Sequence, residues 1–269
     1  MRPFHTFLHK TLLTLFLIFA FTVDTGARGS LVCGAYIGQN ADYADSIEEY
    51  ENLCGAENNI YLVNVRDEYP YDEVLACYAK GKMPMLLLSD KFNMGRVAEL
   101  AEKAGEFNMP MYLCISGGDL VFYRYCVGMF RLRAKNVKFV QAVNMSDYDY
   151  AFAGADVVDY LAVNATIGAN NKNYPYLYNM IANADVPVIL NLAISRYDGR
   201  DHSYHTYDAM KTMKYIYEMK ESMGDKLFGI NYVNVEYKQQ KFDVYSDEKL
   251  RTVYGGLVCE WGDPEHWGA

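Results

Sequence analysis

Short, almost wholly apolar runs alternate along the chain with longer stretches whose apolar positions recur every three or four residues. The runs cover residues 31–38, 60–66, 83–89, 110–116, 137–144, 160–166, 186–195 and 227–237. They lack a polar face, which predicts parallel strands buried on both sides. Between them the helical period covers 44–54, 71–80, 94–107, 120–134, 174–184, 206–223 and 247–259. A shorter turn or helix is expected over 148–155. In 94–107, Val97, Leu100, Ala101 and Ala104 fall on one helical face. Gly55, Gly81 and Gly224 stand where helices should stop. Eight strand–helix repeats joined by right-handed crossovers predict an α/β fold, the (β/α)8 TIM barrel, in a single domain. An open doubly wound sheet would need a glycine-rich phosphate turn after its first strand, and Gly38-Gln39-Asn40-Ala41 is not one.

The N-terminus breaks this alternation. Arg2, His5, His9 and Lys10 precede the apolar run Thr11–Val23, and Thr25-Gly26-Ala27 supplies small residues. This order predicts a secretory signal peptide over 1–27, followed by the barrel at 28–269. The run is too short for a comfortable bilayer span. The expectation is a secreted or cell-surface protein, touching the membrane only through this segment if it stays uncleaved.

Composition narrows the partners. The net charge is -9, and the 25 Lys and Arg residues form no basic stripe, so nucleic acid is not expected as a partner. The 6 cysteines form no CxxC pair, which argues against a zinc or iron–sulfur centre. In an exported protein they could form disulfides, or serve equally well as buried thiols.

In a barrel of this kind, ligands meet the loops that follow the strands. Reading those ends collects Arg66, Asp67, Glu68, Asp90, Asn144, Asn164, Asn191, Arg196, Tyr197, His202, Asn234, Glu236 and Tyr237, with Gln39, Asn40, Ser146, Asp147 and Tyr148 beside them. Amides and tyrosines suit the hydroxyls and flat faces of sugars, although Asn, Asp and Gly are also common loop formers. The candidate ligand-binding set is Asn144, Asn164, Asn191, Arg196, Tyr197, His202, Asn234 and Tyr237. His202-Ser203-Tyr204-His205, near Asp198 and Asp201, could ligate a metal. With no helix to hold that spacing, loop or capping roles are preferred, with Ser203 or Thr206 as the N-cap. No metal or other cofactor is expected. There is no GxSxG nucleophile elbow.

Five stretches resemble glycoside hydrolase family 26, the β-mannanase-like barrels. They are Pro110–Ser116, Phe130–Asn144, Val157–Asn164, Val186–Ser195 and Phe228–Asn234, in the order of that family's fourth to eighth strands. The resemblance implies a barrel with a sugar cleft. It also implies a retaining mechanism with a glutamate acid ending strand four and a glutamate nucleophile ending strand seven, about 5 Å apart. This chain has Gly117-Gly118 at the first place and Asn191 at the second. Glycine has no proton to give, and an amide does not attack as a carboxylate does. The expectation is therefore a catalytically degenerate barrel holding a glycan or a surface partner. The alternative is an active glycoside hydrolase with relocated carboxylates, Asp119 and Glu236, and a weaker one is a module with no ligand.

Overall fold

The computed structural model describes residues 30–38, 46–116, 118–145, 152–168, 174–237 and 240–263, except the side chains of 174, 236 and 237. The signal segment, Gln39, Asn40, Gly117, Ser146, Asp147, Tyr148 and the rest of the first half of the 148–155 turn, through 151, lie outside the described residues. Eight strands close a parallel barrel: β1 (Val32–Tyr36), β2 (Ile60–Asn64), β3 (Met83–Ser89), β4 (Met111–Ser116), β5 (Val137–Asn144), β6 (Tyr160–Gly168), β7 (Val188–Ser195) and β10 (Leu227–Val233). Neighbours pair in chain order and β10 closes the ring on β1. The (β/α)8 expectation is met.

Helices pack outside: α1 (Ile47–Cys54), α2 (Tyr71–Ala79), α3 (Val97–Glu106), α4 (Leu120–Arg133), α5 (Tyr174–Asn183), α6 (Thr206–Met223) and α7 (Glu248–Trp261). Their starts follow local chemistry. The Ser46 hydroxyl accepts from the Glu49 N–H of α1 at 3.2 Å, and Asp247 accepts from Lys249 and Leu250 at the head of α7, both at 3.1 Å. At the other end of α1, Gly55 adopts φ 67° and returns its N–H to Glu51. The four apolar positions of α3 are all buried, as their spacing requires.

Two apolar layers result. The larger lies between strands and helices. The smaller fills the barrel and includes Val32, Ile60, Met85, Cys114, Ala162 and Ile189. Towards the strands' N-terminal ends, Tyr112 and Tyr160 meet edge-on with centroids 5.7 Å apart, and Phe228 lies 4.4 Å from Tyr160. These rings plug the bottom of the barrel and leave the C-terminal end of the strands as the open side. No helix among the described residues is long and apolar enough to cross a membrane.

All six cysteines are unpaired, and only Cys259 is exposed. Burial pushes each of Cys33, Cys54, Cys77, Cys114 and Cys126 up to about 12. Titration of the native protein with an aromatic disulfide at pH 8 should therefore modify one thiol quickly and the other five only on unfolding. The Cys259→Ser variant should lose the fast phase. Two or more fast thiols would overturn the assignment.

Candidate functional site

The strand ends carry the site, and register decides which of their side chains meet. Asn144 on β5 stands opposite Asn164 on β6, Asn164 opposite Asn191 on β7, and Asn191 opposite Asn231 on β10. In-register residues of neighbouring parallel strands point to the same face. The four amides therefore line the inside of the barrel and join in a ladder. The Asn164 amide donates to Asn144 Oδ1 at 3.3 Å, Asn191 to Asn164 Oδ1 at 3.0 Å, and Asn231 to Asn191 Oδ1 at 2.9 Å. Because barrel strands tilt, the ladder descends as it crosses them. Asn144 is exposed and Asn164 half-buried, while Asn191 is 8% and Asn231 0% exposed. Asn231 ends opposite Gly34 on β1, and its Oδ1 has no donor.

Above the ladder is a cavity of about 480 Å³. Leu62, Leu87, Cys114 and Ala142 form its apolar floor. Tyr36, Asn64, Ser89, Ser116, Asn164 and Asn191 supply hydroxyls and amides, and Arg66 stands at the rim. Asn64 donates to the Tyr36 hydroxyl at 2.6 Å, which fixes one wall. No aspartate or glutamate is among the described residues that line it. A larger cavity of about 780 Å³ opens beside it between β1, β2, α1 and α2, and Arg66, Asn64 and Tyr36 border both.

The sequence-derived ligand set divides on this geometry. Asn144, Asn164 and Asn191 come together in the ladder. Arg196 and Asn234 do not join them, because both are built into the protein. Arg196 is 5% exposed and pairs with Asp247 at 3.2 Å and Asp243 at 3.5 Å. Asn234 is buried, donates to Tyr50 Oη and the Tyr36 carbonyl, both at 3.2 Å, and accepts from Val244. Those bonds fix the chain just past β10, so Asn234 sets loop shape instead of facing a ligand.

Tyr197 and His202 belong to a hairpin beyond β7, formed by β8 (Tyr197–Asp198) and β9 (Ser203–Tyr204). The Tyr197 hydroxyl meets His202 Nδ1 at 2.8 Å, with His202 at φ 57°. Neither lines the mouth cavity. Glu236 and Tyr237 form β11 (Glu236–Tyr237), paired with β12 (Gln240–Lys241), and their side chains lie outside the described residues. Asp119 is the N-cap of α4: its Oδ1 accepts from Val121 at 2.9 Å and Phe122 at 3.0 Å. Its carboxylate holds a helix end and does not line the cavity.

The two histidines of HxxH are split. His202 turns to Tyr197, and it is Asp198, Asp201 and His205 that bring ligand-type atoms within 4.8 Å of one another. Asp201 is engaged by Ser203 and His205, and the Ser203 hydroxyl bond holds its carboxyl below the usual range. Asp198 pairs with Arg200 at 2.8 Å. His205 occupies the N-cap of α6 without a side-chain cap, so neither Ser203 nor Thr206 caps that helix. The Thr206 hydroxyl instead donates to Asp247 at 2.6 Å.

The architecture has parallels among solved structures. It has the fold of the glycoside hydrolase barrels. A Bacillus subtilis mannanase superposes with TM-score 0.57 at 10% identity, covering 91% of this chain and 90% of the other. A family 26 glycoside hydrolase from a Muricauda species gives 0.57 at 10% identity, with 86% of each chain covered. An endo-β-1,3-glucanase of family 128 from Sorangium cellulosum gives 0.57 at 10% identity, covering 83% and 98%. No protein-family model matches the sequence, and no curated protein matches it.

Sequence reasoning missed Asn231, Asn64, Tyr36, Ser89 and Ser116. For Asn231 the signal was present: an amide inside an apolar run, as at Asn191. Only the strand register shows that the two amides touch.

Proposed function

We propose that this chain is an exported, non-hydrolytic glycan-binding barrel that holds a sugar in the cavity at the C-terminal mouth. The observation that carries the reading is that cavity's lining. Its described residues offer amides, hydroxyls and an apolar floor but no carboxylate. Retaining and inverting glycosidases both need two carboxyl groups flanking the bond to be cleaved. Asn191 stands where the resemblance puts a nucleophile, and it is engaged in hydrogen bonds on both sides. The ladder supplies fixed donors and acceptors of the kind that orient sugar hydroxyls, and the floor suits a sugar's apolar face. Hydrolysis by Asp119 and Glu236 is the weaker reading, because Asp119 is already the cap of α4.

The experiment pairs two measurements on the same ligands. Mannan, β-glucan and peptidoglycan-type oligosaccharides should remain intact after prolonged incubation, while calorimetry or a glycan array detects binding. Asn164→Ala with Asn191→Ala should weaken that binding about 10-fold or more, given about 1 kcal/mol for each hydrogen bond lost. Product release above background, or binding that survives the double substitution, would overturn the proposal.

A further inference from the structure

Arg66 lies two residues past β2 and is exposed at the cavity rim. It is the only charged group among the described residues that line the cavity. It takes part in none of the ion pairs among the described residues. Its neighbours Asp67 and Glu68 border the larger cavity with it, but neither forms an ion pair with it among the described residues. Asp67 and Glu68 line a crevice shared with Arg96 and Lys103, and Glu68 lies close enough to act on the charge of Lys103. A guanidinium without a partner among the described residues, beside fixed amides and hydroxyls, is suited to bidentate capture of a carboxylate.

We infer that the mouth cavity selects an acidic sugar, a glycan unit whose carboxylate seats on Arg66 while its hydroxyls meet Asn164 and Asn191. This rests on the glycan reading above and adds the ligand's chemical class. The whole-protein charge of -9 works against any anion, so a preference for one has to originate locally. The pairing sits at a solvent-accessible rim, so the preference should weaken as salt is raised.

The test compares tetragalacturonate, its methyl ester and neutral mannotetraose by calorimetry at low and high salt. Tetragalacturonate should bind about 10-fold more tightly than its ester, the scale of one charge-assisted hydrogen-bond pair. Arg66→Gln should remove that difference between acid and ester. The residue is exposed, so the variant should keep the wild-type unfolding midpoint. Equal binding of acid and ester overturns the inference and leaves the glycan reading standing, as does a preference that persists in Arg66→Gln. If none of the three binds, and none of the glycans named above does, both readings fall. Retention of simple carboxylates such as acetate with no sugar dependence would show an anion site without a glycan and would also overturn it.

Discussion

Arg196→Met is expected to lower folding stability by about 3–5 kcal/mol, the scale of breaking a buried ion pair from one side. The reason lies in what the guanidinium leaves behind. Asp243 is 1% exposed, and its Oδ2 faces Arg196 at 3.5 Å without a hydrogen bond from any group. Removing the arginine strands that carboxylate away from water. Arg196 also reaches Asp247, which receives the Thr206 hydroxyl and caps α7 through its other oxygen. One side chain thus ties the exit of β7 to the starts of both α6 and α7. Urea unfolding should show the loss as a fall in midpoint with an unchanged slope. The double variant Arg196→Met with Asp243→Leu should recover most of it, since apolar replacement of both partners is often neutral. A single-variant loss below about 1 kcal/mol, the scale of an exposed pair, would show that the pair is solvated and the network dispensable.

Acid should narrow the gap between the two proteins. Burial on its own would raise the Asp247 pKa, but the bonds from Thr206 and the Leu250 N–H and the charge of Arg196 together hold it below the usual value. A depressed carboxylate stabilises the fold above its unfolded pKa and ceases to as pH falls through the folded one. Arg196→Met weakens that depression, so the wild type has more to lose in acid than the variant.

The barrel was legible in the sequence because its strands are buried on both faces and its helices are not, so period and apolarity change together at each boundary. Strand β3 and helix α6 fall on the residues their patterns predict, 83–89 and 206–223. The eighth run, read as 227–237, breaks at Val233 because Asn234 bonds back to β1 and Tyr50, and Glu236–Tyr237 pair instead with Gln240–Lys241. The site was half legible. Asn144, Asn164 and Asn191 stood out as polar residues at strand ends, but Arg196 and Asn234 looked the same and turned inward. Their partners, Asp243, Asp247 and Tyr50, lie at distances along the chain that no local pattern reports.

Gly34→Ala should cost about 1–3 kcal/mol, the range for overpacking a filled interior, and should disturb the ligand site from its deepest point. A Cβ on Gly34 would lie 2.0 Å from Asn231 Oδ1, 3.0 Å from its Cγ and 3.3 Å from Ile60 Cβ. Asn231 is fully buried, so its side chain cannot swing into solvent to make room. It can only rotate, and rotation turns its amide nitrogen away from Asn191 Oδ1, where it now donates at 2.9 Å. Asn191 in turn holds Asn164, so the first methyl group at the bottom of the ladder is felt at the cavity wall. This makes a quantitative demand on a double-mutant cycle. Asn231→Ala alone removes a buried hydrogen bond, yet combined with Gly34→Ala it also removes the clash, so the two losses should fall short of additivity by about 0.5 kcal/mol or more. Strict additivity would mean that Gly34 is destabilised by some other contact, such as Ile60, and that the ladder is not what requires a glycine on β1. With the coupling present, glycan binding should weaken in Gly34→Ala even though the substitution lies beneath the cavity and touches no ligand.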